Sequence, residues 1–194
     1  MTSSQSEWTA LACYPATRSA AVRGVDILLA RDPSGSLTFH YVMHADMLHV
    51  RVPLRVAPMR ADGLWAHTCF EAFIAPAAVG GAYYELNFSP SLQWAIYSFE
   101  AYRQGMSPTD VTVPPKLTVR TFDDRLELDA TIELDEMKGL RAAHTPKLAV
   151  TAVVEDDSGT LSYWALKHAP GKPDFHHTDG FVLELPRTSN GQPK

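Results

Sequence analysis

Two stretches of the chain concentrate side chains that can do chemistry. Across 67–75, period-two alternation sets Thr68, Phe70, Ala72 and Ile74 on one face and His67, Cys69 and Glu71 on the other. Across 83–89, Tyr84, Leu86 and Phe88 alternate in the same way with Tyr83, Glu85, Asn87 and Ser89. Consecutive strands usually pair, so His67, Glu71, Glu85 and Asn87 are expected to gather on the face away from the core. Carboxylates and an amide can bond the hydroxyls of a polar ligand, while aromatic rings stack on its C–H face. Trp65, just before the first stretch, and Trp94 and Tyr97, just after the second, are the candidate rings. The plain alternative is the solvated side of an antiparallel sheet, where such residues are common.

The same pair, Glu71 and Glu85, has the composition of a glycoside-cleaving site, in which one carboxyl keeps its proton because its neighbour is charged. Such chemistry needs a separation of about 5 to 10 Å, and facing positions on paired strands fall near the lower end of that span. A third cluster lies in 167–177, where Lys167, His168, Lys172, Asp174, His176 and His177 crowd one long connection. Loops often carry function. His176 and His177 are neighbours in an extended segment and point opposite ways, which argues against their sharing one metal ion, and no metal site is assigned. Arg103 and Lys167 are candidates for holding an anionic substituent.

These residues need a sheet to position them. Alternation is clearest over 125–134, where Leu126, Leu128, Ala130, Ile132 and Leu134 oppose Arg125, Glu127, Asp129, Thr131 and Glu133. Its expected hairpin partner is 116–122, with Asp123–Asp124 as the turn. Further strands are expected at 25–30, 37–44, 48–54, 67–75, 82–89, 94–99, 147–154, 161–167 and 181–185, separated by Asp/Pro/Ser/Gly turns at 32–35, 62–63, 80–81, 89–91 and 156–159. Helical signal is confined to about one turn after Asp135. The expectation is an all-β fold, an antiparallel immunoglobulin-like or jelly-roll β-sandwich of about eleven strands with very little helix. One domain over 11–187 suffices for 194 residues, with 1–10 and 188–194 as flexible ends.

Composition narrows the function classes. A formal net charge of −5 argues against a phosphate-backbone binder, so no nucleic-acid partner is expected. No stretch approaches the roughly 18 to 20 apolar residues of a membrane span, and no membrane partner is expected. Residues 1–7 have neither the basic nor the apolar region of a signal peptide, so a cytoplasmic location is expected. The two cysteines, Cys13 and Cys69, fit reduced thiols, Cys69 as a packing residue. Neither a Gly-x-Ser-x-Gly nucleophile elbow nor a phosphate-cradling glycine-rich loop is present.

The stretch 63–73 (GLWAHTCFEAF), the stretch 83–90 (YYELNFSP) with Trp94 and Tyr97, and the late 163–166 (YWAL) with 172–176 (KPDFH) resemble the bacterial DOMON-like proteins, a group that looks related to the family-nine carbohydrate-binding modules. The resemblance runs from about Leu37 to Leu185. It implies a sugar- or haem-binding β-sandwich, with Trp65, Glu71, Glu85, Asn87 and Trp94 in the region of the cleft. Haem would need a pair of axial ligands. Met43, Met59, Met106, His44 and His168 are available, but none lies in a matching motif, and no cofactor is expected.

The leading expectation is a non-catalytic domain that binds a saccharide or similar small polar ligand on a concave sheet face, through Trp65, His67, Glu71, Glu85, Asn87, Trp94, Tyr97, Arg103 and Lys167. A glycoside-acting enzyme using Glu71 and Glu85 is the alternative, beside a haem-binding or a protein-interaction module that could pair as a homodimer.

Overall fold

The computed structural model describes residues 7–76, 80–140 and 146–185. Its strands are β1 (Thr9–Cys13), β2 (Val22–Arg31), β3 (Ser36–Ala45), β4 (Met59–Arg60), β5 (Cys69–Ala75), β6 (Tyr83–Phe88), β7 (Gln93–Phe99), β8 (Ser107–Pro108), β9 (Lys116–Thr121), β10 (Arg125–Glu133), β11 (Lys147–Glu155), β12 (Leu161–Ala165) and β13 (Leu183–Glu184). No α-helix occurs among the described residues; the turn expected after Asp135 is a short 3-10 turn, Leu134–Glu136. None of the described helical segments is long and apolar enough to cross a membrane.

Turn chemistry sets the hairpins. Asp32 Oδ1 accepts from the backbone N–H groups of Gly35 and Ser36 at 2.9 and 3.0 Å, closing the β2–β3 turn, and Gly35 supplies the left-handed conformation at φ +105°. Asp156 does the same between β11 and β12, accepting from Ser158 and Thr160. Phe122 N–H donates to Arg125 O at 2.9 Å across Asp123–Asp124, giving the tight β9–β10 hairpin.

The strands form a single path in the order β4-β7-β6-β5-β11-β12-β1-β2-β3-β10-β9, with β8 beside β7 and β13 beside β11. The path curls until its halves meet: Tyr41 on β3 packs on Phe70 of β5 at 4.9 Å between ring centroids, and Phe39 on Phe88 of β6 at 5.7 Å. Apolar alternation drives this closure. Val25, Ile27, Leu37, Phe39, Leu126, Leu128 and Ala130 from one half and Phe70, Ala72, Leu86, Phe88, Ile96 and Val150 from the other are buried together, and each large side chain contributes roughly 1.5–3 kcal/mol.

Two departures from the expected antiparallel sandwich stand out. β1 pairs with β2 through Thr9–Leu11 and with β12 through Ala12 and Cys13, so a single mixed sheet is continuous where two separate ones are expected. β4 runs parallel to β7. At the level of single strands, 48–54 is not a strand: Met47–His49 form a 3-10 turn capped by Asp46, and only Val50 makes a bridge, to Asp156. Leu48 and Leu54 are each 88% exposed there, so their apolarity marks no core. Thr9 and Ala10, inside the stretch expected to fray, belong to β1.

Candidate functional site

β5, β6 and β7 are buried on both faces. Their even-numbered residues face the main core, and their odd-numbered residues form a second buried layer with Phe73, Tyr83, Ala95, Tyr97, Phe99, Ala149 and Phe181. The side expected to be wet is therefore covered, by the turn Leu64–Ala66 and by the connection between β12 and β13. Under that cover lies a cavity of about 360 Å³, lined by Trp65, Glu71, Glu85, Phe99, Arg103, Met106, Val153, Tyr163, Pro173, Phe175 and His176.

Strand register builds the floor. Glu71 on β5 stands between Thr151 on β11 and Asn87 on β6, while Glu85 is opposite Phe73 and Tyr97. Glu71 and Glu85 are thus diagonal neighbours, about 7–8 Å apart at the backbone, and not the directly facing pair expected. Asn87 is fully buried and orients Glu85, donating from Nδ2 to Glu85 Oε1 at 2.9 Å and accepting from the Cys69 thiol at 3.8 Å.

Both carboxyls are withdrawn from water, Glu71 being 3% and Glu85 5% exposed. Burial, reinforced by the charge of Glu85, pushes Glu71 well above the usual carboxylate range. Glu85 is raised less, because burial is opposed by the Asn87 hydrogen bond and by the Arg103 guanidinium. Of the two, Glu71 is pushed further toward its protonated form. Glu71 Oε1 has no hydrogen-bond partner, and neither has Thr151 Oγ1 opposite it. Buried polar atoms are rarely left in this state.

His176 closes one side. Its ring is wedged edge-on against Phe73 and Phe99, each at 5.1 Å, and against Tyr83 at 5.9 Å. Burial and the Arg103 charge bring its pKa down to about 4, so the imidazole is neutral. The Tyr83 hydroxyl accepts from the Arg103 backbone N–H at 3.2 Å and is hydrogen-bonded to His176 Nδ1 at 2.7 Å. With Tyr83 as the donor in that bond the ring proton resides on Nε2, which stands 3.7 Å from Glu85 Oε2.

Asp174 fastens the cover to the turn after β7. Its carboxylate accepts from Arg103 Nη2 at 2.7 Å, from the His176 backbone N–H at 3.2 Å and from the Tyr102 hydroxyl. Trp65 forms the opposite rim, 39% exposed, carried on a 3-10 turn that begins at Gly63 with φ +72°.

Of the residues singled out from sequence, the structure brings Trp65, Glu71, Glu85 and Arg103 to one cavity. Asn87 and Tyr97 support it from behind: Tyr97 meets Trp65 edge-on at 5.7 Å and donates its hydroxyl to Asp62. His67, Trp94 and Lys167 do not reach it. His67 Nδ1 pairs with Glu155 Oε2 at 2.7 Å, beside the Arg51–Glu155 ion pair. Trp94, in register with Phe88, is 7% exposed in the main core, so it cannot stack with Trp65 on a ligand. Lys167 Nζ lies 3.9 Å from Asp179 Oδ2.

Phe99, Met106, Val153, Tyr163, Pro173, Phe175 and His176 complete the lining. The signal for the last three was the crowded 167–177 connection, whose contribution is one neutral imidazole and a lid. His177 points away and accepts from the Asp179 backbone N–H at 3.2 Å. Among the described residues no three His, Cys, Asp or Glu side chains are grouped to hold a metal ion.

No family model matches the chain, and no curated protein matches it. Among solved structures it is similar to that of a Bacteroides uniformis protein proposed to be carbohydrate-binding, with a TM-score of 0.66 at 16% identity over 91% of this chain and 84% of the other. At that identity the likeness defines the fold class they share.

Proposed function

We propose that this chain is a carbohydrate-binding domain that takes one small saccharide unit in the cavity over β5 and β6, in keeping with the DOMON-like resemblance of its sequence. The observation that carries the reading is the lining itself: two carboxyl groups, an imidazole and a guanidinium, set between Trp65, Phe99, Tyr163 and Phe175. Few polar groups converging inside aromatic walls is the composition of small-ligand sites, and about 360 Å³ falls at the lower end of their size range. The shared fold with a protein proposed to bind carbohydrate supports the same reading.

In this reading Glu71 and His176 donate to ligand oxygens, Glu85 accepts from hydroxyls, and Trp65 covers a C–H face. Isothermal titration and thermal shift against a panel of free hexoses and hexosamines test it. A ligand at a hundred times its Kd should add about 2.7 kcal/mol of apparent stability, and Glu85→Ala should abolish the gain. A panel without any response sinks the reading.

A second reading, cleavage of a glycosidic bond, draws on the two buried carboxyl groups, of which Glu71 is raised more strongly than Glu85. Release of nitrophenol from a panel of nitrophenyl glycosides, lost in Glu71→Gln, would favour it over simple binding.

A further inference from the structure

The charges around Glu71 do not balance. It lies with Glu85 on one cavity wall, both almost fully buried, and its Oε1 meets no donor. From each element packed against it the candidates can be named. On its own strand, Cys69 is a thiol that burial keeps protonated. On β11, Thr151 is neutral and itself without a partner. On β6, Asn87 is committed to Glu85 and Cys69. Through the sheet, Tyr41 donates its hydroxyl to the backbone carbonyl of Glu71 and leaves the carboxyl alone. From the covering loops, His176 is uncharged, and Arg103 is engaged by Asp174 and lies over the Tyr102 ring, 6.0 Å from its centroid.

We propose that the cavity takes a ligand bearing a protonated primary amine, an amino sugar, whose ammonium group sits between Glu71 and Glu85. An ammonium has three N–H donors and no acceptor, so it can serve two carboxylates at once. The aromatic walls of Trp65, Phe99, Tyr163 and Phe175 add the attraction of ring faces for a cation. Burial favours the protonated form of Glu71; once the ammonium supplies the missing positive charge, that proton departs to solvent. The inference rests on the carbohydrate reading of this same cavity and specifies its ligand.

The test is isothermal titration of the full chain at near-neutral pH with D-glucosamine, D-galactosamine, their hydroxyl and N-acetyl counterparts, and 3-amino-1,2-propanediol, each in phosphate and in HEPES. At least one hexosamine should bind roughly tenfold or more tightly than both neutral counterparts, with a heat that differs between buffers because a proton is released. Glu71→Gln should remove the preference and the proton release together. Equal or tighter binding of the neutral sugars, or a preference that survives in Glu71→Gln, overturns the amine inference and leaves the carbohydrate reading standing. Binding of 3-amino-1,2-propanediol with proton release, and of no sugar, overturns the carbohydrate reading and the amino sugar with it, and leaves only an ammonium site; no heat from any probe overturns both readings outright.

Discussion

His176 Nε2 stands 3.7 Å from Glu85 Oε2, a gap too wide for a hydrogen bond between them. The ring edge faces the Glu85 carboxyl without bonding it, and an oxygen or nitrogen of a ligand can stand between the two. The same burial that keeps the ring neutral has a cost in acid. The folded pKa is about 4 against an ordinary 6.5, so below 6.5 the unfolded chain takes a proton that the folded chain refuses. Stability is fully present above 6.5 and falls as pH drops toward 4, by an amount on the order of 3 kcal/mol before solvent screening. Urea midpoints measured from pH 7 to 4 should show this limb in the wild type and a flatter one in His176→Gln; identical slopes count against the assignment.

Glu71 acts with the opposite sign. Its folded pKa is raised by burial and by Glu85, so ionisation opposes folding once pH exceeds the unfolded value near 4.5, and increasingly so up to the folded pKa. Glu71→Gln should therefore melt higher than wild type at pH 8, and the advantage should vanish near pH 4.5. Thermal melts at the two pH values decide it, and a variant less stable at both would show that the carboxyl has a native partner.

The two tryptophans separate fold from function. Trp94→Ala opens a hole in the main core and should destabilise by about 3–5 kcal/mol, whereas Trp65→Ala removes a partly exposed rim. Trp65→Ala is expected to keep the wild-type urea midpoint while weakening ligand binding roughly tenfold or more. A Trp94→Ala protein that stays fully stable would contradict the core placement.

Asp174→Asn should loosen the cover. The variant keeps the volume of the side chain and loses the charge that holds Arg103. The expected loss in global stability is small, about 1 kcal/mol, but limited proteolysis should cut within 167–177 several times faster than in wild type. Resistance equal to wild type would mean that aromatic packing alone keeps the cover shut.

Much of the sheet was legible because alternation is local. The odd-numbered side chains of 69–75 and 83–88 share a face in the structure as their spacing requires, and the β9–β10 hairpin turns at Asp123–Asp124. Trp94 was misplaced although alternation sets it opposite Tyr97 on β7; which of the two faces is the main core is fixed by pairing with Phe88, a tertiary fact. His67 lies just before β5, where the 3-10 turn ends the alternation and lets its ring swing to Glu155. The cover over Glu71 and Glu85 was invisible for the same reason. Nothing local in Phe175 or His176 says that they fold back over strands some ninety residues earlier in the chain (Tyr83 and His176 are separated by 93 positions).

β1 hydrogen-bonds to β2 through its first three residues and to β12 through its last two, which makes it the seam that joins the two halves of the curled sheet. Ordinary fraying would free one side at a time. Amide hydrogens of Leu11 to Cys13 should therefore exchange together, and the rate at which they do so times the opening of the whole molecule like a clasp being undone, giving a single clock for events that buried rings elsewhere conceal.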